Sequence, residues 1–151
     1  ILLNCITKSF SELTTTELYA ILQLRSQVFV VEQDCVYQDL DGKDQKALHI
    51  FAFKNDIMIA YARIFKPNDY FEKATIGRVV VVASERKLGY GHQLVKASIA
   101  AIKNNFNVDD ITISAQVYLK KLYETLGFKQ VGEEYLEDGI PHIRMDRKVV
   151  S

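Results

Sequence analysis

The sequence predicts an α/β fold of the α+β kind, a mixed central sheet of six to seven strands flanked by helices. Three observations predict it. Strand-like and helix-like stretches follow one another in the order β-α-β-β-β-α-β-α-β-β. Two apolar runs flank Lys54-Asn55-Asp56, which reads as an antiparallel hairpin. Four valines, Val79 to Val82, lead through a basic, glycine-punctuated turn into a helix. At 151 residues and 48% hydrophobic, the chain 1–151 suits a single domain with a real core.

Leu2 to Lys8 reads as a short strand. Thr14-Thr15-Thr16-Glu17 supplies cap chemistry. Leu18, Ile21, Leu22, Arg25, Val28, Phe29 and Glu32 then recur at helical spacing, a helix of about four turns. A polar loop runs from Asp34 to Lys46. Ala47 to Phe53 and Ile57 to Phe65 make the hairpin, and a second loop follows Pro67. Thr75 to Val82 is a strand whose valines hold it by packing. Leu94, Val95, Ser98, Ile99, Ile102 and Phe106 mark an amphipathic helix ending near Asn104-Asn105. Asp110 to Gln116 reads as a strand, and Tyr118 to Gly127 as a helix closed by a glycine suited to the left-handed position. Phe128 to Glu134 and His142 to Val149 are the last strands, around the turn Glu137-Asp138-Gly139.

Nineteen basic and nineteen acidic residues cancel, and no basic stripe points to nucleic acid. Apolar runs such as Val79 to Ala83 are too short to span a bilayer. Ile1-Leu2-Leu3-Asn4 lacks a basic n-region and a long h-region, so no signal peptide is read. Cys5 and Cys35 form neither a disulfide framework nor a zinc signature, and the expectation is a reducing, cytoplasmic compartment. The acidic loop is no EF-hand, because Gly42 stands at the fourth place counted from Asp39, and no metal is expected.

The turn "SERKLGYG" carries the chemistry. It is not a G-x-x-x-x-G-K-(S/T) phosphate loop, and Leu94 stands where a dinucleotide fingerprint needs its third small residue. What remains is R-x-x-G-x-G opening a helix. Glycines permit positive φ and leave backbone N–H groups bare, and the helix N-terminus adds partial positive charge. Such a turn favours phosphate or pyrophosphate, with Arg86 and Lys87 adding charge. The plainer reading is an ordinary strand-to-helix connection.

Between a valine strand and an amphipathic helix, this turn resembles motif A of the GNAT acetyltransferase superfamily, (Q/R)-x-x-G-x-(G/A). Downstream, "AQVYLKKLYETLGF" (Ala115 to Phe128) resembles a second family segment ending L-Y-x-x-x-G-F, with Gln116 where Asn is common. "LRSQVFVVEQDCVYQDLDGKD", "AYARI", "IGRVVV" and "EDGIPHIRM" together look like the ElaA-like branch, so the resemblance covers nearly the whole chain. It implies the GNAT fold, with Arg78 to Val82 and Ile111 to Gln116 as a splayed parallel pair. The pantetheine arm of acetyl-CoA, the acyl donor, would lie against the main chain of Val79, Val80 and Val81. Its pyrophosphate would sit on Arg86, Lys87, Leu88, Gly89, Tyr90, Gly91 and His92. An N–H near Val81 would polarise the thioester carbonyl, and Gln116 would bind the pantetheine or phosphate region. Tyr123 lies on its helix's apolar stripe and reads as a core tyrosine from periodicity. The family motif makes it the proton donor to the leaving thiolate. A phenol near pKa 10 is a weaker acid than a thiol near 8.5, so full transfer runs uphill by about 2 kcal/mol and a hydrogen bond is the expected role.

On the acceptor side, Arg25, Phe29 and Glu32 share a helical face at offsets 0, +4 and +7. Charges on a buried stripe need partners or a wet cleft. Arg63 in "AYARIF" and Arg78 in "IGRVVVV" pose the same question. One account is a structural ion-pair network. The other is a polar cleft in which Glu32 orients or deprotonates an amine and an arginine holds an anionic group. His49 begins a strand and is read as structural or as lining that cleft. His142 faces away from Ile143 and Met145 by strand alternation. Glu32 and His142 are the candidate bases, since an amine must be neutral to attack. The acidic excess from Glu32 to Asp44 would attract a cationic amine or is simply solvated.

The leading expectation is therefore an acetyl-CoA-dependent N-acetyltransferase acting on a small-molecule or peptide amine, with a homodimer through C-terminal edge strands as a further expectation. The alternatives are an enzyme similar to acyl-homoserine-lactone synthases, separable by acyl-chain selectivity, and a non-catalytic acyl-CoA sensor, which would release no thiol.

Overall fold

Alternating and continuous apolar runs place the strands. The computed structural model describes residues 2–148. The strands are β1 (Ile6–Ser9), β2 (Leu48–Lys54), β3 (Ile57–Phe65), β4 (Thr75–Val81), β5 (Ile111–Gln116), β6 (Phe128–Glu137) and β7 (Ile140–Arg147), with helices α1 (Thr15–Arg25), α2 (Tyr90–Phe106) and α3 (Lys120–Thr125). The expected end of the last strand at Val149 lies outside the described residues. Strand order is β1-β2-β3-β4 in one antiparallel group and β5-β7-β6 in the other. The groups meet at one parallel bridge, Ala74 with Ile111, where the Thr112 N–H donates to the Ala74 carbonyl at 2.9 Å. The result is the expected mixed sheet with a splayed parallel pair.

A bulge accompanies the splay. Arg63 pairs with Gly77 but Tyr61 pairs with Val80, so Arg78 and Val79 together face Ala62. Arg78 takes a left-handed φ of 50°. The extra residue bends and twists β4 just beyond its junction with β5.

Alternation gives the sheet two apolar faces. Ile50, Ala62, Ile64 and Ile113 pack under α2 and α3 with Leu94, Val95, Ile102 and Phe128. Phe51, Tyr61 and Val80 point the other way, against Ile21, Leu24 and Val28.

The helices depart from the sequence expectation at their ends. Thr14 and Glu17 form a reciprocal capping box for α1, with the Glu17 N–H on Thr14 Oγ1 at 3.0 Å and the Thr14 N–H on Glu17 Oε1 at 2.8 Å. The expected four-turn helix changes at Ser26 into a π-helical segment, Ser26–Glu32. Its i→i+5 bonds include Gln33 N–H to Val28 O at 3.1 Å and Cys35 N–H to Val30 O at 3.0 Å. α2 begins at Tyr90, one turn before Leu94. Gly127 closes the α3 region at φ 91°, the left-handed conformation expected of it.

The loop from residue 33 to 47 is anchored by charge. Arg25 donates from Nε to Asp39 Oδ2 at 2.8 Å and from Nη1 to Asp44 Oδ1 at 2.7 Å. Arg63 donates to Asp44 Oδ1 at 2.9 Å and pairs through both terminal nitrogens with Asp41. Arg78 donates from Nε to Asp39 Oδ1 at 2.8 Å. Three arginines from α1, β3 and β4 thus meet three aspartates of one loop. His49 is enclosed beside them. Its Nε2–H donates to the Asp44 carbonyl at 2.9 Å, so its Nδ1 accepts from the Tyr61 hydroxyl at 2.6 Å. Burial pulls the His49 pKa below its ordinary 6.5 and pushes the Tyr61 phenol up.

Asp44 serves two buried guanidinium groups, so Asp44→Asn is expected to lower the unfolding free energy by about 3–5 kcal/mol. Asp109→Asn, at the exposed pair with Lys103, is expected to cost below about 1 kcal/mol; urea denaturation of both variants checks the contrast. Because folded His49 binds its proton more weakly than unfolded His49, its contribution is complete above about pH 6.5 and declines as pH falls. Asp41 and Asp44, held below the usual carboxylate range by their arginines against the opposing effect of burial, respond only below about pH 4. The denaturation midpoint should therefore drop between pH 7.5 and 5.5, and drop less in His49→Gln.

Candidate active site

Two cavities open on either side of the parting strands. The first, about 300 Å³, runs along β4 between Phe29, the 85–92 turn and Leu122. Val82 donates to the Ile59 carbonyl at 2.8 Å. By antiparallel alternation the polar groups of Val80 and Val82 turn to β3, and those of Val79 and Val81 turn to the gap. The Val80 side chain is buried under α1, while Val79 and Val81 are half-buried.

The turn after β4 has the features of an anion cradle. Lys87 and Gly89 take φ of 66° and 82°. Gly89 is the N-cap of α2 and supplies no side chain there. The first helical bond runs from the Gln93 N–H to the Gly89 carbonyl at 3.2 Å, so the amides of Tyr90, Gly91 and His92 have no partner in the helix. Those amides and the dipole of a 17-residue helix suit a diphosphate. At Gly91 a Cβ would stand 3.2 Å from Leu122 Cδ1, a close approach of α2 to α3. Lys87 and His92 line the groove; the Leu88 side chain is exposed and the Tyr90 side chain is buried, leaving Tyr90 only its amide. Arg86 donates from Nε to the Val81 carbonyl at 2.9 Å and grips Glu32 through both terminal nitrogens.

The second cavity, about 100 Å³, shares Phe29, Val79 and Leu119 with the first. Tyr123 lies at its floor, 3% exposed and edge-on to Phe128 at 5.5 Å. Its hydroxyl has no hydrogen-bond partner among the described residues, and burial pushes its pKa up. His142 donates from Nδ1 to the Ile140 carbonyl at 2.7 Å, which leaves Nε2 as its acceptor. Glu137 Oε2 stands 3.4 Å from that Nε2. Gln116 and Gln33 exchange amide hydrogen bonds of 3.0 and 3.3 Å across the mouth.

Phe29, Arg63 and Arg78, expected at the acceptor, line this second cavity. Arg25 and His49 do not: both are 0% exposed, with their polar atoms consumed by the loop, and their places are structural. Glu32, a candidate base, lines neither cavity; the wider π turn breaks the +7 phase, and its carboxylate lies on Arg86. Gln116, expected on the cofactor, lines the second cavity instead. Gln33, Ser114 and Glu137 were not legible as site residues. Gln33 sits in a polar run with no pattern, while the Asp138-Gly139 turn folds Glu137 back beside His142.

A protein-family model, the acetyltransferase (GNAT) domain, matches residues 12–149. Protein ElaA of Escherichia coli is 45% identical over 143 residues, 93% of this chain and 94% of that protein. An acyl-CoA N-acyltransferase from Pseudomonas aeruginosa superposes with a TM-score of 0.91 at 41% identity, covering 97% of this chain and 99% of the other. A CoA-dependent acyl-homoserine lactone synthase shares the fold alone, with a TM-score of 0.74 at 15% identity over 96% of this chain and 82% of its own.

Gly89→Ala forces a side chain into the left-handed region and is expected to cost about 1–2 kcal/mol. Gly91→Ala, which only displaces the end of a leucine, should cost less. Urea denaturation of the two variants compares them.

Proposed function

The chain belongs to the GNAT acetyltransferase family, and from that premise we propose that it transfers an acetyl group from acetyl-CoA to an amine of a small molecule or exposed amino group by direct attack on the thioester. One observation carries the reading. The anion-ready groove and the Tyr123–His142 cavity open onto each other at Val79, where β4 and β5 have parted.

In this reading the free amides at the start of α2 hold the diphosphate, and the gap-facing main chain of Val79 and Val81 holds the pantetheine arm. The Val81 N–H donates to the thioester carbonyl and stabilises charge as it builds there. Arg86 exchanges its carboxylate partner Glu32 for phosphate oxygen when the donor docks. His142, with Nδ1 fixed on a carbonyl, offers Nε2 to the amine proton, and Glu137 stabilises the imidazolium that results. Glu32 is given no part in this proton transfer, because it lines neither cavity. Tyr123 stays a phenol, since burial raises its pKa. It therefore steadies the departing sulfur by hydrogen bonding rather than giving up its proton outright. Acetyl is the acyl group proposed, and the cytoplasm the compartment. Cys5 and Cys35 are unbridged, and among the described residues no helix is long and apolar enough to cross a membrane.

A thiol-release assay with acetyl-CoA against diverse amines tests this. Tyr123→Phe should lose about tenfold or more in kcat with near-normal CoA affinity, and His142→Gln about 10²–10⁴-fold in kcat/KM. Unchanged turnover in either variant removes that residue from the mechanism. Absence of CoA binding in calorimetry overturns the reading.

A further inference from the structure

The charge within the second cavity identifies the acceptor more closely. Arg63 and Arg78 are the cations lining it among the described residues. Both are charge-compensated by aspartates of the loop, although Arg78 keeps Nη1 without a partner among the described residues. Arg63 gives both terminal nitrogens to Asp41 and Asp44, and its Nε is buried without a partner. Arg78 spends Nε on Asp39 Oδ1 and Nη2 on the Asp39 carbonyl, with Asp41 Oδ2 at 3.6 Å. Arg25 beneath them closes the set at three guanidinium groups to three carboxylates. An incoming carboxylate or phosphate would meet a set of no net charge rather than a positive one.

Two further carboxylates line the same cavity without a lysine or arginine partner among the described residues. Glu137 accepts from Ser114 Oγ at 3.3 Å and faces His142. Asp138 stands at the turn, its main chain held by the Cys35 thiol at 3.2 Å. The rings of Phe29, Tyr37, Phe65, Tyr70 and Phe71 line the same cavity. Lys43 and Arg144 stand over Tyr70 and Phe71 at 5.8 and 4.5 Å, outside the cavity lining.

We infer that the acceptor is a cationic amine that carries no carboxylate or phosphate, its amino group at Glu137 and His142 and an apolar or aromatic body among the rings. This rests on the acyl-transfer reading above and narrows it. The acids draw in the ammonium form; His142 removes one proton before attack and releases it to bulk water, then takes the second from the nitrogen as the amide forms and CoA departs as thiolate. The arginines, which invite comparison with an anion site, instead hold the loop.

Body-matched pairs test it: phenethylamine with phenylalanine, tyramine with tyrosine, histamine with histidine, agmatine with arginine, each with acetyl-CoA. In every accepted pair the amine is expected to exceed the amino acid by tenfold or more in kcat/KM. Asp138→Asn should lower that ratio severalfold; asparagine tolerates the left-handed φ of 52° at this position, so the variant keeps the turn. A ratio near or below one, with acetyl transfer intact, overturns the inference and leaves the acyl-transfer reading standing. Failure of every amine to release thiol, with acetyl-CoA bound, overturns both.

Discussion

Everything at this site depends on β4 and β5 touching once and then parting. A parallel pair normally continues its ladder, and unpaired backbone polar groups in a protein interior are costly. Here the ladder stops after Ala74 and Ile111, and the bulge at Arg78 sits immediately beyond. The main chain of Val79 and the N–H of Val81 are left facing the gap, while the Val81 carbonyl is held by Arg86 Nε. At the same parting the groove and the pocket share Phe29, Val79 and Leu119. Had the strands stayed paired, the valines would be core and the glycine turn an ordinary connection.

The bulge is held in place by the arginine–aspartate set. Burying three guanidinium groups and three carboxylates costs much of what their attraction returns, so their main effect is not net stability but a unique arrangement. Arg78, at the bulge, grips Asp39, which also grips Arg25 beneath α1. Asp44 grips Arg25 and Arg63, and its carbonyl holds His49. A loop without regular structure thereby acquires a fixed path over the acceptor cavity. Neutralisation within the set also determines which charges remain to meet a ligand, and those are acidic.

Two groups at the junction are tuned by different means. Tyr123 is kept protonated by exclusion of water, with no charged partner needed. His142 is oriented by a carbonyl on one nitrogen and presents the other, near a carboxylate. Arg86 and Glu32 show a third arrangement, a charged pair at the groove's rim, partly in solvent and so worth little net stability.

Element types were legible in the sequence because apolar period reports directly which face is buried. The hairpin at Asn55-Asp56, the capping box at Thr14 and Glu17, the left-handed Gly127 and the glycine cradle at 89–91 all follow from local chemistry. For Arg25 and His49 the sequence left a structural place and a cleft both open, and the place of Glu32 was not legible. Helical phase put Arg25 and Glu32 on one face, but a π segment between them turned Glu32 to Arg86. The acidic loop looked solvated because its partners lie 14 to 39 residues away in the chain. Sequence alone thus determined the strands, the helices and the glycine turn, each of which depends on neighbours a few residues apart. Only the tertiary structure decided which charges cancel and which meet the ligand, since electrostatic pairing depends on distance in space and the fold is what sets it.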